Sequence, residues 1–215
     1  MRRGFAISAV AAAALAVSTA PIAAAASGPR PVRGPDGVTI EIATANGSGC
    51  LNNTAGVAIS DDAESFTVWY FNYLVQSGGS LKPAPVRKNC QLSLKLRAPE
   101  GVTYAVSSVD HRGYASLVDG AKATQKVSHY FQGLPQTGRI THQIPVPFDG
   151  TWHFEDSIQT EPVYKPCGED RNLNLNTELR LDPGTSDPSH PSVIAMDTLE
   201  DPIGSIYHLT WKTCP

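Results

Sequence analysis

Beyond its first 26 residues, the 215-residue sequence has no second apolar run of membrane-spanning length, so no further membrane helix is expected. It has no Gly-x-Ser-x-Gly elbow and no His-Glu-x-x-His. The six histidines, His111, His129, His142, His153, His190 and His208, never pair at i+2 or i+4. The serine-hydrolase and zinc-protease signatures are therefore missing. Basic excess is missing too: 17 Lys and Arg face 20 Asp and Glu, and losing Arg2 and Arg3 with a leader takes the formal charge from −3 to −5. A phosphate-binding surface needs clustered cations, so no nucleic-acid partner is expected. No close Cys-x-x-Cys pair occurs, which argues against a zinc site, and no metal or other cofactor is expected. A copper oxygenase would carry histidine at its mature N-terminus, where Ser27 is expected here.

What is present begins with a leader. Met1-Arg-Arg3 precedes an alanine-dominated apolar run from Phe5 to about Ala26, and Ala24-Ala-Ala26 offers the small-x-small cleavage pattern. Residues 1–26 read as a signal peptide cleaved after Ala26. Arg2-Arg3 before Gly4-Phe5 partly matches a twin-arginine signal, but the flanking Ser/Thr and Lys are missing. The C-terminal Trp211-Lys-Thr-Cys-Pro215 holds no sorting or anchor signal, so the expectation is a secreted, extracellular protein without a membrane span after cleavage.

Four cysteines remain, Cys50, Cys90, Cys167 and Cys214. An even number in an exported chain implies two disulfides, with three pairings open. Cys50–Cys90 and Cys167–Cys214 are favoured because each closes one contiguous half of the chain.

Residues 27–37, rich in Pro and Gly, read as a flexible linker, and 38–215 as one domain. Apolar residues make up 41% of the chain, enough for a proper core. Their dominant pattern is two-residue alternation. Val38, Ile40 and Ile42 alternate with Thr39 and Glu41; Leu92, Leu94 and Leu96 with Gln91, Ser93 and Lys95; Leu173, Leu175, Leu179 and Leu181 with Asn174, Asn176, Glu178 and Arg180. Strand side chains leave on opposite faces, so these are half-buried strands. Phe66–Val75, apolar on both faces, reads as a central strand covered on both sides. Further strands are expected at 104–109, 126–131, 139–144, 151–154, 193–196 and 205–211. No segment of twelve or more residues shows helical periodicity. The fold expected is an all-β antiparallel sandwich, jelly-roll-like, held by two disulfides.

Several segments together carry a family resemblance: Gly47-Ser-Gly-Cys50, Phe66-Thr-Val68, Arg87-Lys-Asn-Cys-Gln-Leu92, Val109-Asp-His-Arg-Gly113, Tyr130-Phe-Gln-Gly133, Pro166-Cys-Gly168, Asn174-Leu-Asn-Thr-Glu-Leu-Arg180, Met196-Asp197 and Trp211-Lys-Thr-Cys214. The chain resembles the domain-of-unknown-function family 4360 from about Val38 to its end. One departure is Leu51, where that family usually has proline after its first cysteine. The resemblance implies secretion, the cysteine framework and a single domain; it implies no activity.

Three polar groups are candidates for chemistry. Asp110-His111-Arg112-Gly113 can present an acid, a base and a cation at a sheet edge; alternatively Asp110 caps a turn, Arg112 meets a carboxylate and Gly113 takes positive φ. Glu169-Asp-Arg171 beside Cys167 offers carboxylates for a glycosidase, with a partner from Asp110 or Glu178, or oxygen ligands for calcium; otherwise it is a solvated loop. The row Asn172, Asn174, Asn176, Glu178, Arg180 lies on one strand face, about 6.6 Å between successive members. Amides donate and accept as sugar hydroxyls require, and an aromatic ring on a neighbouring strand would complete a carbohydrate platform. A plain outer sheet face with cross-strand hydrogen bonds is the competing reading. Asn46-Gly-Ser48 and Asn52-Asn-Thr54 match the glycosylation pattern and, beside a leader of bacterial character, carry little weight.

The function expected is a non-catalytic extracellular module binding a glycan or another cell-surface ligand. The alternatives are a carboxylate-dependent hydrolase and an envelope-associated domain whose partner is a protein.

Overall fold

The computed structural model describes residues 31–51, 54–80, 86–135, 137–157, 161–196 and 204–215. Residues 1–26, expected as a signal peptide, residues 27–30 of the expected linker, Asn52 of the second glycosylation match and Asp197 lie outside the described residues.

Thirteen strands make up the described regular structure: β1 Pro31–Val32, β2 Thr39–Asn46, β3 Ala55–Ile59, β4 Ser65–Tyr70, β5 Leu74–Ser77, β6 Val86–Arg97, β7 Val102–Leu117, β8 Lys122–Phe131, β9 Thr137–Ile144, β10 Phe148–Ser157, β11 Leu173–Asp182, β12 Ser192–Ala195 and β13 Ser205–Thr213. Five form one sheet in the order β2-β6-β11-β8-β9. The other eight run β3-β4-β13-β7-β12-β5, with β1 on β13 and β10 on β7. The pairings are antiparallel. The two sheets pack as a sandwich, as the alternating pattern requires.

The core is the set of inward positions. Leu92, Leu94 and Leu96 of β6 and Leu173, Leu175, Leu179 and Leu181 of β11 are buried from the smaller sheet. Phe66, Val68, Tyr104, Val106, Val109, Tyr207, Leu209 and Trp211 meet them from the larger one. Each such leucine contributes roughly 2 kcal/mol through burial. Trp211 donates its indole N–H to the Ala63 carbonyl at 2.8 Å, which leaves no buried donor unmet there. The disulfides are Cys50–Cys90, which ties the turn after β2 to β6, and Cys167–Cys214, which ties the loop before β11 to the residue after β13.

Three expectations need correcting. Phe66–Val75 is not one doubly covered strand: Asn72 adopts a left-handed φ of 65°, which ends β4 and lets the chain restart as β5 at the far end of the same sheet. Within β4, burial simply alternates. The linker is not wholly irregular, because Pro31 and Val32 pair with Lys212 and Trp211. Asp110–Gly113 is neither a turn nor a sheet edge. It lies inside β7, a sixteen-residue strand flanked by β10 on one side and by β13 and β12 on the other.

Candidate functional site

The outer face of the five-stranded sheet is built on β11. Its leucines and Thr177 point inward, so Asn174, Asn176, Glu178 and Arg180, with Asn172 just before the strand, point outward. Register then fixes their neighbours. Asn174 sits between Ser93 of β6 and Tyr130 of β8, Asn176 between Gln91 and Ser128, Glu178 between Asn89 and Lys126, and Arg180 between Arg87 and Thr124.

The five row members are not equivalent. Asn172 donates its side-chain N–H to Ser93 Oγ at 2.9 Å, and Asn174 is only 9% exposed. The Asn172–Ser93 bond is a cross-strand polar pair of an ordinary outer face. Glu178 accepts from Arg87 Nε and Nη2, both at 2.6 Å, with Lys126 Nζ at 3.7 Å. Asn176 differs: its amide faces a shallow concavity of about 370 Å³ lined by Gln91, Ser128, Lys126, Arg87 and Glu178. The side chains of Asn176, Gln91 and Ser128 have no hydrogen-bond partner among the described residues. Tyr130 stands on the same face, beside Asn174. Sequence reasoning asked for an aromatic neighbour without naming it. The signal was there in Tyr130-Phe131, since the buried Phe131 obliges Tyr130 to point outward.

Asp110, His111 and Arg112 lie on the other sheet and do not join this face. Asp110 and Arg112 are outward on β7, on the opposite side of the sandwich, and His111 points into the core. Asp110 accepts from His153 Nε2 at 3.0 Å and His208 Nε2 at 2.8 Å, on the two flanking strands. Partial burial works to raise the Asp110 carboxyl pKa, but the bonds from His208 and His153 prevail and hold it below the usual carboxylate value. Arg112 forms no ion pair among the described residues, and its Nε is buried without a partner there. Gly113 does not take positive φ. It is glycine because a Cβ would lie 2.1 Å from the Ala195 carbonyl and 2.3 Å from the Trp152 ring.

Between the sheets, His111 Nδ1 meets Ser205 Oγ at 2.9 Å, while its Nε2 lacks a hydrogen bond and lies 3.8 Å from Asp156. Asp156 instead pairs with His142 Nε2 at 2.9 Å, and His142 stacks on Phe154. Burial lowers the His111 pKa to about 3, helped by the charge of neighbouring His142, and burial alone takes His129 to about 4. Both rings are neutral at physiological pH.

Each carboxylate weighed for hydrolysis has its own cationic or histidine partner. Glu169 pairs with Arg171, Asp170 with Lys95, Glu178 with Arg87, and Asp110 with two histidines across the sandwich from Glu178. Glu169 and Asp170, for which a partner from Asp110 or Glu178 is expected, instead each face a cation, Arg171 and Lys95. Among the described residues, no three His, Cys, Asp or Glu side chains are grouped to hold a metal ion.

Comparison with known proteins places this chain in a family. A protein of Arthroderma benhamiae named "Uncharacterized secreted protein" is 34% identical over 181 residues, which is 84% of this chain and 73% of that protein. A solved structure, TmCBM61 in complex with β-1,4-galactotriose, aligns over 81% of this chain and 91% of its own at 12% identity, with a TM-score of 0.29, too low to inform fold or ligand. The sequence model of the domain of unknown function DUF4360 matches residues 36–214, from the end of the lead-in through the last cysteine, and the chain belongs to that family.

Proposed function

We propose that this protein is an exported binding module whose outer five-stranded face takes a glycan in the concavity around Asn176. The observation that carries the reading is the set of unengaged groups there. Two amides, Asn176 and Gln91, and the Ser128 hydroxyl are aligned in register across three strands, in one concavity. An amide supplies both donor and acceptor, which matches a sugar hydroxyl in either role. Tyr130, one residue pair along, offers a ring for the apolar face of a pyranose. Strands hold these groups at fixed spacing, so little ordering entropy is lost on binding. Export is supported by the leader pattern at residues 1–26 and by the secreted relative from Arthroderma benhamiae.

The test is a glycan array probed with the mature protein and with Asn176→Ala and Gln91→Ala. Each deletion removes one or two hydrogen bonds of about 1 kcal/mol, so affinity falls roughly five- to thirtyfold per variant. Asn172→Ala, whose amide is already bonded to Ser93, leaves affinity within about twofold. Equal binding by all four proteins, or no binding to any glycan, removes this reading.

A further inference from the structure

We infer that the glycan taken by this face is anionic, carrying carboxylates on its sugars; the inference rests on the binding face proposed above. The chain as a whole is acidic, with a formal charge of −3. The concavity is not. Arg87, Lys126 and Arg139 line it, and Arg180 stands directly across from Arg87 in the strand register. Among the described residues lining it, Glu178 is the one acidic side chain; Arg87 and Lys126 stand against it there, and Arg180 lies beside Arg87. The next charged pair along β11, Asp182 opposite Lys122, is balanced.

Two features argue that this excess is more than a solvated basic edge. The first is the juxtaposition of Arg87 and Arg180. Like charges directly opposite on adjacent strands repel, and Glu178 is already shared between Arg87 and Lys126. An incoming anion relieves that repulsion. The second is availability. Arg87 binds Glu178 through Nε and Nη2 only, leaving Nη1, and its side chain stays 54% exposed; Lys126 is 43% exposed, and Arg180 is exposed. A guanidinium fork takes a carboxylate through two parallel N–H bonds, while the neighbouring amides take hydroxyls on the same ring. A sugar acid presents both groups; a neutral sugar leaves Arg180 facing Arg87 with no anion between them.

The experiment uses the mature protein and three uronate polysaccharides: polygalacturonate, alginate and hyaluronan. Each is compared with the same polymer after its carboxylates are reduced to alcohols, and dextran sulfate serves as the sulfate-ester arm. Binding to at least one native uronate is expected, falling at least about tenfold on carboxyl reduction. Arg180→Gln loses about tenfold, and Arg180→Lys, which keeps the charge without the planar fork, loses less than Arg180→Gln. Both changes are at an exposed side chain, and matching thermal melts check that the fold is intact. Native and reduced polymers bound equally, with both weakened by Asn176→Ala, would overturn the anionic assignment and leave the glycan face standing. A preference for dextran sulfate over every uronate overturns the carboxylate assignment. Failure to bind any polymer, charged or neutral, removes both.

Discussion

His111 has no exposed surface, its Nε2 has no hydrogen bond, and it is packed by His142 of β9, Asp156 of β10 and Tyr207 of β13. Burial depresses its pKa from 6.5 to about 3. Between those values the unfolded chain binds a proton that the folded chain refuses, so stability is complete above the unfolded pKa and declines as pH falls. At about pH 5, some 1.5 units below the unfolded value, the loss from His111 is about 2 kcal/mol. His129, depressed to about 4 by burial, loses up to about the same, less whatever solvent reaches it. Urea unfolding at about pH 5 and at about pH 7.5 measures the difference directly. His111→Gln, which cannot titrate, retains whatever loss the other groups cause but flattens the pH dependence by about 2 kcal/mol. An unchanged difference in that variant would refute the claim that a neutral His111 is held in the core.

Two further outcomes test the fold. Gly113→Ala must push a Cβ into the Ala195 carbonyl and the Trp152 ring, so the midpoint of urea unfolding should fall by the equivalent of about 3 kcal/mol; an unchanged midpoint would show that β7 and β12 are not packed as described. Replacing Cys167 and Cys214 by serine opens a loop with a sequence separation of 47, which loop-closure entropy values at up to about 4 kcal/mol, and a loss below about 1 kcal/mol would mean that the bridge constrains little.

The sequence carried the sandwich because one face of each major strand is leucine, valine or aromatic and the other is polar, a pattern incompatible with helix. It carried the disulfide pairing because Cys50–Cys90 and Cys167–Cys214 each close a local half of the chain. It did not carry the break at Asn72, because apolar side chains run through 66–75 on both faces and a single left-handed residue leaves little trace in such a run. Asp110–Gly113 was misplaced for a related reason. Polar residues and a glycine read as a turn, whereas here they are the outward face and a close-packing point of a long strand. For the binding face, alternation correctly put the asparagine row on one side. The differences within the row, with Asn172 tied to Ser93, Glu178 clamped by Arg87 and Asn176 unengaged, depend on which residues of β6 and β8 come opposite. Strand register over such distances in sequence is not legible from alternation alone.

The most direct test of the central claim is a map of backbone amide shifts by nuclear magnetic resonance as a glycan found on the array is titrated into the mature protein. The account predicts that the shifts concentrate on β6, β11 and β8, at Gln91, Ser128, Tyr130 and Asn176, and leave β7, β10 and β13 unmoved. Shifts gathered instead around Asp110, His153 and His208, on the opposite side of the sandwich, would contradict it.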